Sequence, residues 1–277
     1  MTNWTDHTIE TAQGARVGVR VYGKRTGAAP VALYLHGGAF TGGSAAGSER
    51  LPALIVQAGA VVVSADYPLA PGHRFPDALE SLFDVLGALR NCCAQWASRR
   101  SALFVAGEEA GGNLAAALAL MARDRRAPLA GQILVSPMLD PVMGTCSLRS
   151  ADAGAVGCPW ADGWHAYLGS PEKAAHPYAA PLSASRLAGV APALLLSAED
   201  DPLRDESETY ARRLQQAGVR VQRHVLPAPT GWPFALSTPT NDATLSAPWA
   251  PAVVDHLKMF FASAVRRPAA SAHSMLA

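Results

Sequence analysis

The sequence predicts an α/β fold in which helices cover both faces of a doubly wound, mostly parallel sheet. Short, continuously apolar runs alternate with longer amphipathic patterns along the 277 residues. Parallel strands that are buried on both faces are typically unbroken apolar runs, whereas a strand with one face in water alternates apolar and polar residues. Hydrophobic residues make up 49% of the chain and charged residues 16%, so one domain of this length can bury a large core.

The elements follow from these patterns in chain order. A half-buried first strand is expected where Val17, Val19 and Val21 alternate with polar residues, before a glycine-rich turn at 23–27. Uninterrupted apolar runs predict buried strands at 31–35, 61–64, 102–106, 133–135 and 193–196. Amphipathic stretches predict helices at 50–60, 76–96, 111–125, 202–217 and 250–265, with a further strand near 219–226.

We expect a single domain over residues 1–267 and a flexible, alanine-rich tail at 268–277. Two stretches interrupt the alternation of strands and helices. Residues 140–187 carry Gly, Pro and Ser around a short aromatic segment, and residues 228–248 form a long loop. Ligands of open α/β sheets bind beyond the carboxyl ends of the strands, so an insertion there is placed to cover a pocket. We therefore interpret residues 140–187 as a cap.

Composition favours a small molecule as the partner. The formal charge of +1 comes from 23 basic and 22 acidic residues without a run of one sign, so nucleic acid is not an expected partner. The sequence has neither a signal-peptide pattern at its start nor an unbroken apolar stretch of membrane-spanning length. We expect a cytoplasmic protein that does not engage a membrane and needs no metal or cofactor; a homodimer is compatible with the sequence.

The most informative segment is residues 107–112, which read Gly-Glu-Glu-Ala-Gly-Gly between a predicted strand and a predicted helix. This is a turn of the Gly-x-Ser-x-Gly type, which presents a nucleophilic serine at the top of a sheet. Glu109 stands at the serine position. We refer to residues 107–112 as the elbow.

Three further motifs accompany the elbow. Residues 36–40 read HGGAF, residues 66–71 read DYPLAP and residues 201–206 read DPLRDE. Together with the elbow, in this order, they resemble the hormone-sensitive-lipase type of α/β-hydrolase over about residues 15–265. The resemblance implies an α/β-hydrolase fold and an esterase whose Ser, Asp and His lie on three loops above the sheet.

By this resemblance, residues 36–40 form an oxyanion turn. Glycines let successive backbone N–H groups point at a developing negative charge. The resemblance implies that Gly37 and Gly38 donate such groups, that His36 and Ala39 belong to the same turn, and that the N–H of Ala110 is the third donor. A tight glycine turn without a ligand is the alternative interpretation.

Of the two other members of a catalytic triad, the acid has a match in this sequence and the histidine does not. Asp201 matches the family's acid, but an Asp before a proline also caps the start of a helix, and both interpretations stay open. The histidine loop is represented by residues 228–234, where Gly231 stands at the histidine position. The cap contains His165 and His176, and the sequence leaves open whether either enters the site. Aromatic and loop residues are candidates for the pocket wall, with simple packing of the cap as the alternative: Trp160, Trp164, Tyr167, Gly231, Trp232 and Phe234.

Glu109 has three conceivable uses in such a site. A nucleophilic carboxylate needs a histidine-activated water to clear the covalent intermediate, and the histidine is missing. A general acid or base needs only reach and a suitable pKa. A carboxylate that folds into the anion hole satisfies the donors itself. We predict non-hydrolytic acid–base chemistry on a small apolar carbonyl compound, such as elimination, isomerisation or cyclisation; the alternatives are a non-catalytic pseudohydrolase that binds a ligand and an ester hydrolase with weak or rerouted activity.

Overall fold

The computed structural model describes residues 3–25, 27–151, 158–237 and 247–265. Within them, one eight-stranded sheet has the strand order β1-β2-β4-β3-β5-β6-β7-β8. Strand β2 is antiparallel to both of its neighbours, β1 and β4, and strands β3 to β8 are parallel to one another. The strands are β1 (Trp4–Glu10), β2 (Arg16–Tyr22), β3 (Val31–Leu35), β4 (Val61–Ala65), β5 (Leu103–Glu108), β6 (Gly131–Pro137), β7 (Ala193–Ala198) and β8 (Val221–Leu226).

Helices cover both faces of this sheet, as predicted. The helices are α1 (Arg50–Gln57), α2 (Asp77–Cys92), α3 (Glu109–Asp124), α4 (Cys146–Ser150), α5 (Pro159–Leu168), α6 (Arg204–Gln216), α7 (Phe234–Ser237) and α8 (Ala250–Val265). One core cluster joins the sheet to α2, α3, α6 and the cap, and a second joins the opposite face to α1 and α8. The doubly wound α/β-hydrolase fold is thereby confirmed.

One strand was not predicted, and the starts of two helices need correction. The pattern did not predict β1, because Ile9 is the only buried residue of this edge strand and its other side chains give no apolar signal. Helix α3 begins at Glu109 rather than at residue 111, and α6 begins at Arg204 rather than at residue 202. The sequence does not reveal either start, because α3 begins within the glycine-rich elbow and α6 begins after an Asp-Pro turn.

The cap follows the carboxyl end of β6 and contains α4 and α5. The long loop contains the short helix α7. Residues 152–157 of the cap, residues 238–246 of the loop and the predicted tail at 268–277 lie outside the described residues, so the domain boundaries stay a prediction. No helix in the described ranges combines the length and apolar character that crossing a bilayer requires.

Candidate active site

The elbow is a tight turn in which β5 passes directly into α3. Glu109 has a φ of +51°, the left-handed region that residues other than glycine rarely adopt. A Cβ atom on Gly111 would overlap the backbone at the end of β3, and one on Gly107 would overlap Gly111 itself. Strained backbone of this kind is typical of functional sites. The turn lifts the Glu109 side chain above the carboxyl ends of the central strands.

The oxyanion turn is held by its own histidine. The His36 Nδ1 donates to the Gly37 carbonyl over 2.7 Å, and the His36 ring stacks on Tyr67 with centroids 4.3 Å apart. The Tyr67 hydroxyl in turn donates to the His36 carbonyl. Burial lowers the pKa of His36, which favours the neutral ring. His36 therefore shapes the turn.

The Glu109 carboxylate lies inside the oxyanion turn. Its Oε2 accepts hydrogen bonds from the backbone N–H groups of Gly38, of Ala39 at 3.0 Å and, more weakly, of Ala110 at 3.4 Å. Its Oε1 accepts one from the Trp160 indole Nε1 at 2.7 Å. Gly37, which the family resemblance assigns as a donor, is not among these donors, and Ala39 donates instead. The anion hole is occupied by a side chain of the protein itself.

Glu108 is fully buried and, like Glu109, lies close to Gly37. A Cβ atom built on Gly37 would lie 2.7 Å from Oε2 of Glu109 and 3.5 Å from Cγ of Glu108. Burial, reinforced by the negative charge of Glu109, raises the pKa of Glu108 to about 8, although the Tyr34 hydroxyl and Arg50 act in the opposite direction. At neutral pH, Glu108 is therefore mostly protonated.

Helix α5 of the cap packs directly on the oxyanion turn. Trp160, Gly163, Trp164 and Tyr167 have the i, i+3, i+4, i+7 spacing of one helix face. Phe40 of the turn stacks on Tyr167 at 4.1 Å and contacts Trp164 at 4.9 Å between centroids. A Cβ atom on Gly163 would overlap the Ala39 carbonyl oxygen. Only 7% of Glu109 is exposed as a result.

Asp201 uses one of its carboxylate oxygens to hold a turn. Its Oδ1 accepts from the Leu203 N–H at 2.9 Å and from the Ser136 hydroxyl at 2.8 Å, so it holds the turn that precedes α6. Its Oδ2 is buried and has no hydrogen-bond partner among the described residues. Burial raises the pKa of Asp201 to about 6. One oxygen is structural and the other is unused.

The loop that carries Gly231 is fixed by Asp200. The Asp200 carboxylate accepts hydrogen bonds from the Thr230 N–H and hydroxyl, each at 2.7 Å, and from the Gly231 N–H at 2.9 Å. Gly231 has a φ of +70°. Sequence reasoning missed Asp200, because the motif begins at its neighbour Asp201 and the contact of Asp200 with Thr230 joins residues 30 positions apart.

Within the described parts of the chain, no histidine hydrogen bonds to Glu109 or to Asp201. His165 is exposed on the cap. His176 packs between Phe75 and Tyr178, with centroid distances of 5.0 and 5.3 Å.

The remaining wall candidates divide into two groups. Phe234 stacks on Trp160 with centroids 5.3 Å apart, and 61% of it is exposed, so it forms the outer rim above Glu109. Trp232 is a correction: its ring is buried against Trp249 in the core cluster of α1 and α8 and does not line the site. Its position in a proline-rich loop concealed that it belongs to a core.

Known proteins resemble this chain in sequence and in fold. The family model for the alpha/beta hydrolase fold matches residues 32–230, which include the oxyanion turn, the elbow and Asp201. An arylesterase from Saccharolobus solfataricus is 31% identical over 207 residues, 73% of this chain and 67% of that protein. An ethyl acetate hydrolase from Pseudomonas putida is 33% identical over 237 residues, 82% of this chain and 74% of that protein. The structure of a hyperthermophilic esterase from the archaeon Pyrobaculum calidifontis has a TM-score of 0.79 at 32% identity, and the match covers 93% of this chain and 85% of the other.

Proposed function

The chain belongs to the α/β-hydrolase family, of the hormone-sensitive-lipase type, and on this basis we propose that it is a pseudohydrolase whose oxyanion hole is filled by its own Glu109. In this proposal the esterase scaffold is retained, ester hydrolysis is lost, and the elbow serves to hold the cap on the sheet.

The proposal rests on the Glu109 carboxylate, which occupies the oxyanion hole. A substrate carbonyl oxygen has to take the place of a carboxylate oxygen that already accepts from Gly38, Ala39 and Ala110. Hydrogen bonds to a charged acceptor contribute about 1.5–3 kcal/mol each, against about 0.5–1.5 kcal/mol for a neutral one. A neutral ester therefore competes poorly with the resident anion.

The lack of a histidine hydrogen bonded to Glu109 among the described residues supports the same conclusion. Among the described residues no imidazole hydrogen bonds to Glu109, so no histidine is placed there to activate a hydroxyl or a water molecule. Removing members of a catalytic triad typically costs several orders of magnitude in rate, and the remaining catalysis depends on the oxyanion hole, which is filled in this protein. A weak or rerouted ester hydrolase is thus the less favoured alternative.

Non-hydrolytic acid–base chemistry is a second candidate, and one observation favours it. Among the described residues, the Oε1 of Glu109 has a single donor, the Trp160 indole, so this oxygen retains capacity to accept a proton. This chemistry also needs a free anion hole to hold the substrate's carbonyl oxygen. The carboxylate would have to leave the oxyanion turn, which is why we place the candidate second.

Kinetics distinguish these functions. We would assay p-nitrophenyl acetate for ester hydrolysis and 5-nitrobenzisoxazole, whose ring opens after loss of one C–H proton, for access to a carboxylate base. The pseudohydrolase predicts that neither reaction exceeds the rate measured with Glu109→Ala. Ester hydrolysis that disappears in Glu109→Ala would support a rerouted hydrolase. Ring opening that disappears in Glu109→Gln would support acid–base chemistry and refute the proposal.

A further inference from the structure

A second concave site lies at the edge of the sheet, formed by residues that belong neither to the elbow nor to the cap. It is bounded by the start of β1, the residues after β2, the end of α1 and the segment after α2, and it encloses about 760 Å³. Pockets for small molecules typically have about 300–1,000 Å³. We call it the edge chamber and define it by Trp4, His7, Lys24, Arg25, Val56 and Trp96.

The aromatic wall of the edge chamber is already in place. Trp96 is almost completely buried, and its ring meets His7 edge to face with centroids 5.3 Å apart. The Arg25 N–H donates to the Trp96 carbonyl at 3.0 Å, which ties the two sides of the chamber together. Trp4 is 45% exposed, although the Arg20 guanidinium lies over its ring. The exposed Trp4 indole is therefore the ring that an aromatic ligand can reach, and the buried Trp96 lines the chamber beside it.

The charges of the edge chamber have one sign. Lys24 and Arg25 line it, and none of its described lining residues is a carboxylate. The Arg25 guanidinium is held by a hydrogen bond of 2.9 Å to the Val56 carbonyl, whereas the Lys24 ammonium makes no ion pair or hydrogen bond with any described residue. A neighbouring groove of about 690 Å³, which shares His7 and Trp96 with the chamber, has Glu10 and Asp84 in its lining instead. The shared aromatic wall thus separates a basic site from an acidic one.

We propose that the edge chamber binds aromatic anions, namely an arene of one or two rings that carries a carboxylate or sulfonate. The arene packs on the exposed ring of Trp4, beside Trp96, and the anionic group lies between Lys24 and Arg25. Tryptophan and cationic side chains together supply the apolar contact and the charge that such a ligand requires. The site is separate from the proposed function of the elbow.

Isothermal titration calorimetry with 1-naphthalenesulfonate tests the proposal, with 1-naphthylmethylammonium as a cation of the same shape. We expect one sulfonate per chain, bound more tightly than the ammonium compound. Exposed charge pairs contribute modestly, so Lys24→Ala and Arg25→Ala should each weaken sulfonate binding about 2- to 5-fold, and the double variant about 10-fold. Trp4→Leu should weaken it by a similar factor because stacking is lost.

Two controls keep the result interpretable. Lys258→Ala removes an exposed cation of α8 and should leave sulfonate binding unchanged. Asp84→Asn neutralises the neighbouring acidic groove and should not weaken sulfonate binding either. Equal affinity for the sulfonate and the ammonium compound, no detectable sulfonate binding, or a double variant that binds the sulfonate as tightly as the native chain would each overturn the proposal. Circular dichroism of every variant verifies that the fold is intact.

Discussion

Replacing Glu109 by glutamine keeps the shape of the side chain and removes its charge. The amide oxygen can still accept from Gly38 and Ala39, but the NH₂ group then faces the Trp160 indole N–H, and two donors cannot bond to each other. Leaving the buried indole donor unpaired costs about 1–3 kcal/mol, and each backbone bond weakens by roughly 0.5–1 kcal/mol when its acceptor becomes neutral. Relief from burying a charge offsets part of this cost.

We therefore expect Glu109→Gln to lower the free energy of unfolding by about 2–4 kcal/mol and the Tm by roughly 5–12 °C. Urea and thermal unfolding at pH 6, followed by circular dichroism, measure both. Glu108→Gln is the matched control, because Glu108 is protonated at that pH and glutamine imitates the neutral acid. It should change the free energy of unfolding by less than about 1 kcal/mol. If Glu109→Gln were as stable as the control, the donors would not be holding the carboxylate, and the reasoning would be refuted.

Three further predictions concern the cap, the buried acid and the lost catalytic pair. Gly163→Ala should lower the free energy of unfolding in urea by about 2–3 kcal/mol, because the added Cβ overlaps the Ala39 carbonyl. The control Asp162→Ala changes an exposed neighbour and should not destabilise the chain in this way. If both variants lost the same free energy of unfolding, α5 would not rest on the turn. Burial raises the pKa of Glu108 from an ordinary 4.5 to about 8, so its contribution to stability is complete below pH 4.5 and is lost as the pH rises through 8. Between pH 5 and 8.5 the native chain should thus lose about 2–4 kcal/mol more than Glu108→Gln, and identical pH profiles would contradict the raised pKa. The double variant Glu109→Ser with Gly231→His should hydrolyse p-nitrophenyl acetate at least about 100-fold faster than either single variant. This holds even though a histidine at a φ of +70° costs about 1 kcal/mol of backbone strain. A double variant no faster than the single variants would show that the residues around the site have diverged as well.

The fold could be predicted because its central strands are buried on both faces. Val61 to Val63 and Leu194 to Leu196 are apolar in sequence for the same reason that they are inaccessible in the structure. The edge strand β1 lacks that constraint, so neither its existence nor its pairing with β2 left a pattern. Motif order located the elbow and the oxyanion turn because the glycines there have no sterically acceptable substitute.

The contacts inside the site could not be predicted in the same way. The hydrogen bond from Trp160 to Glu109 joins residues that are 51 positions apart, and it depends on where α5 rests. The spacing of Trp160, Gly163, Trp164 and Tyr167 contained part of this information, since it marks one helix face, but not which surface that face covers. The sequence likewise left three uses of Glu109 open, because the direction of a carboxylate is set by tertiary contacts.

The Trp160 indole proton offers the most direct measurement of whether the anion hole is filled. Its resonance can be identified among those of the six tryptophans by its absence in Trp160→Phe. If Glu109 accepts a hydrogen bond from this N–H group, the proton should exchange slowly with water, and its chemical shift should change when Glu109 is replaced by glutamine. A Trp160 proton that exchanges as fast as that of the exposed Trp4, and that stays in place in Glu109→Gln, would contradict the account.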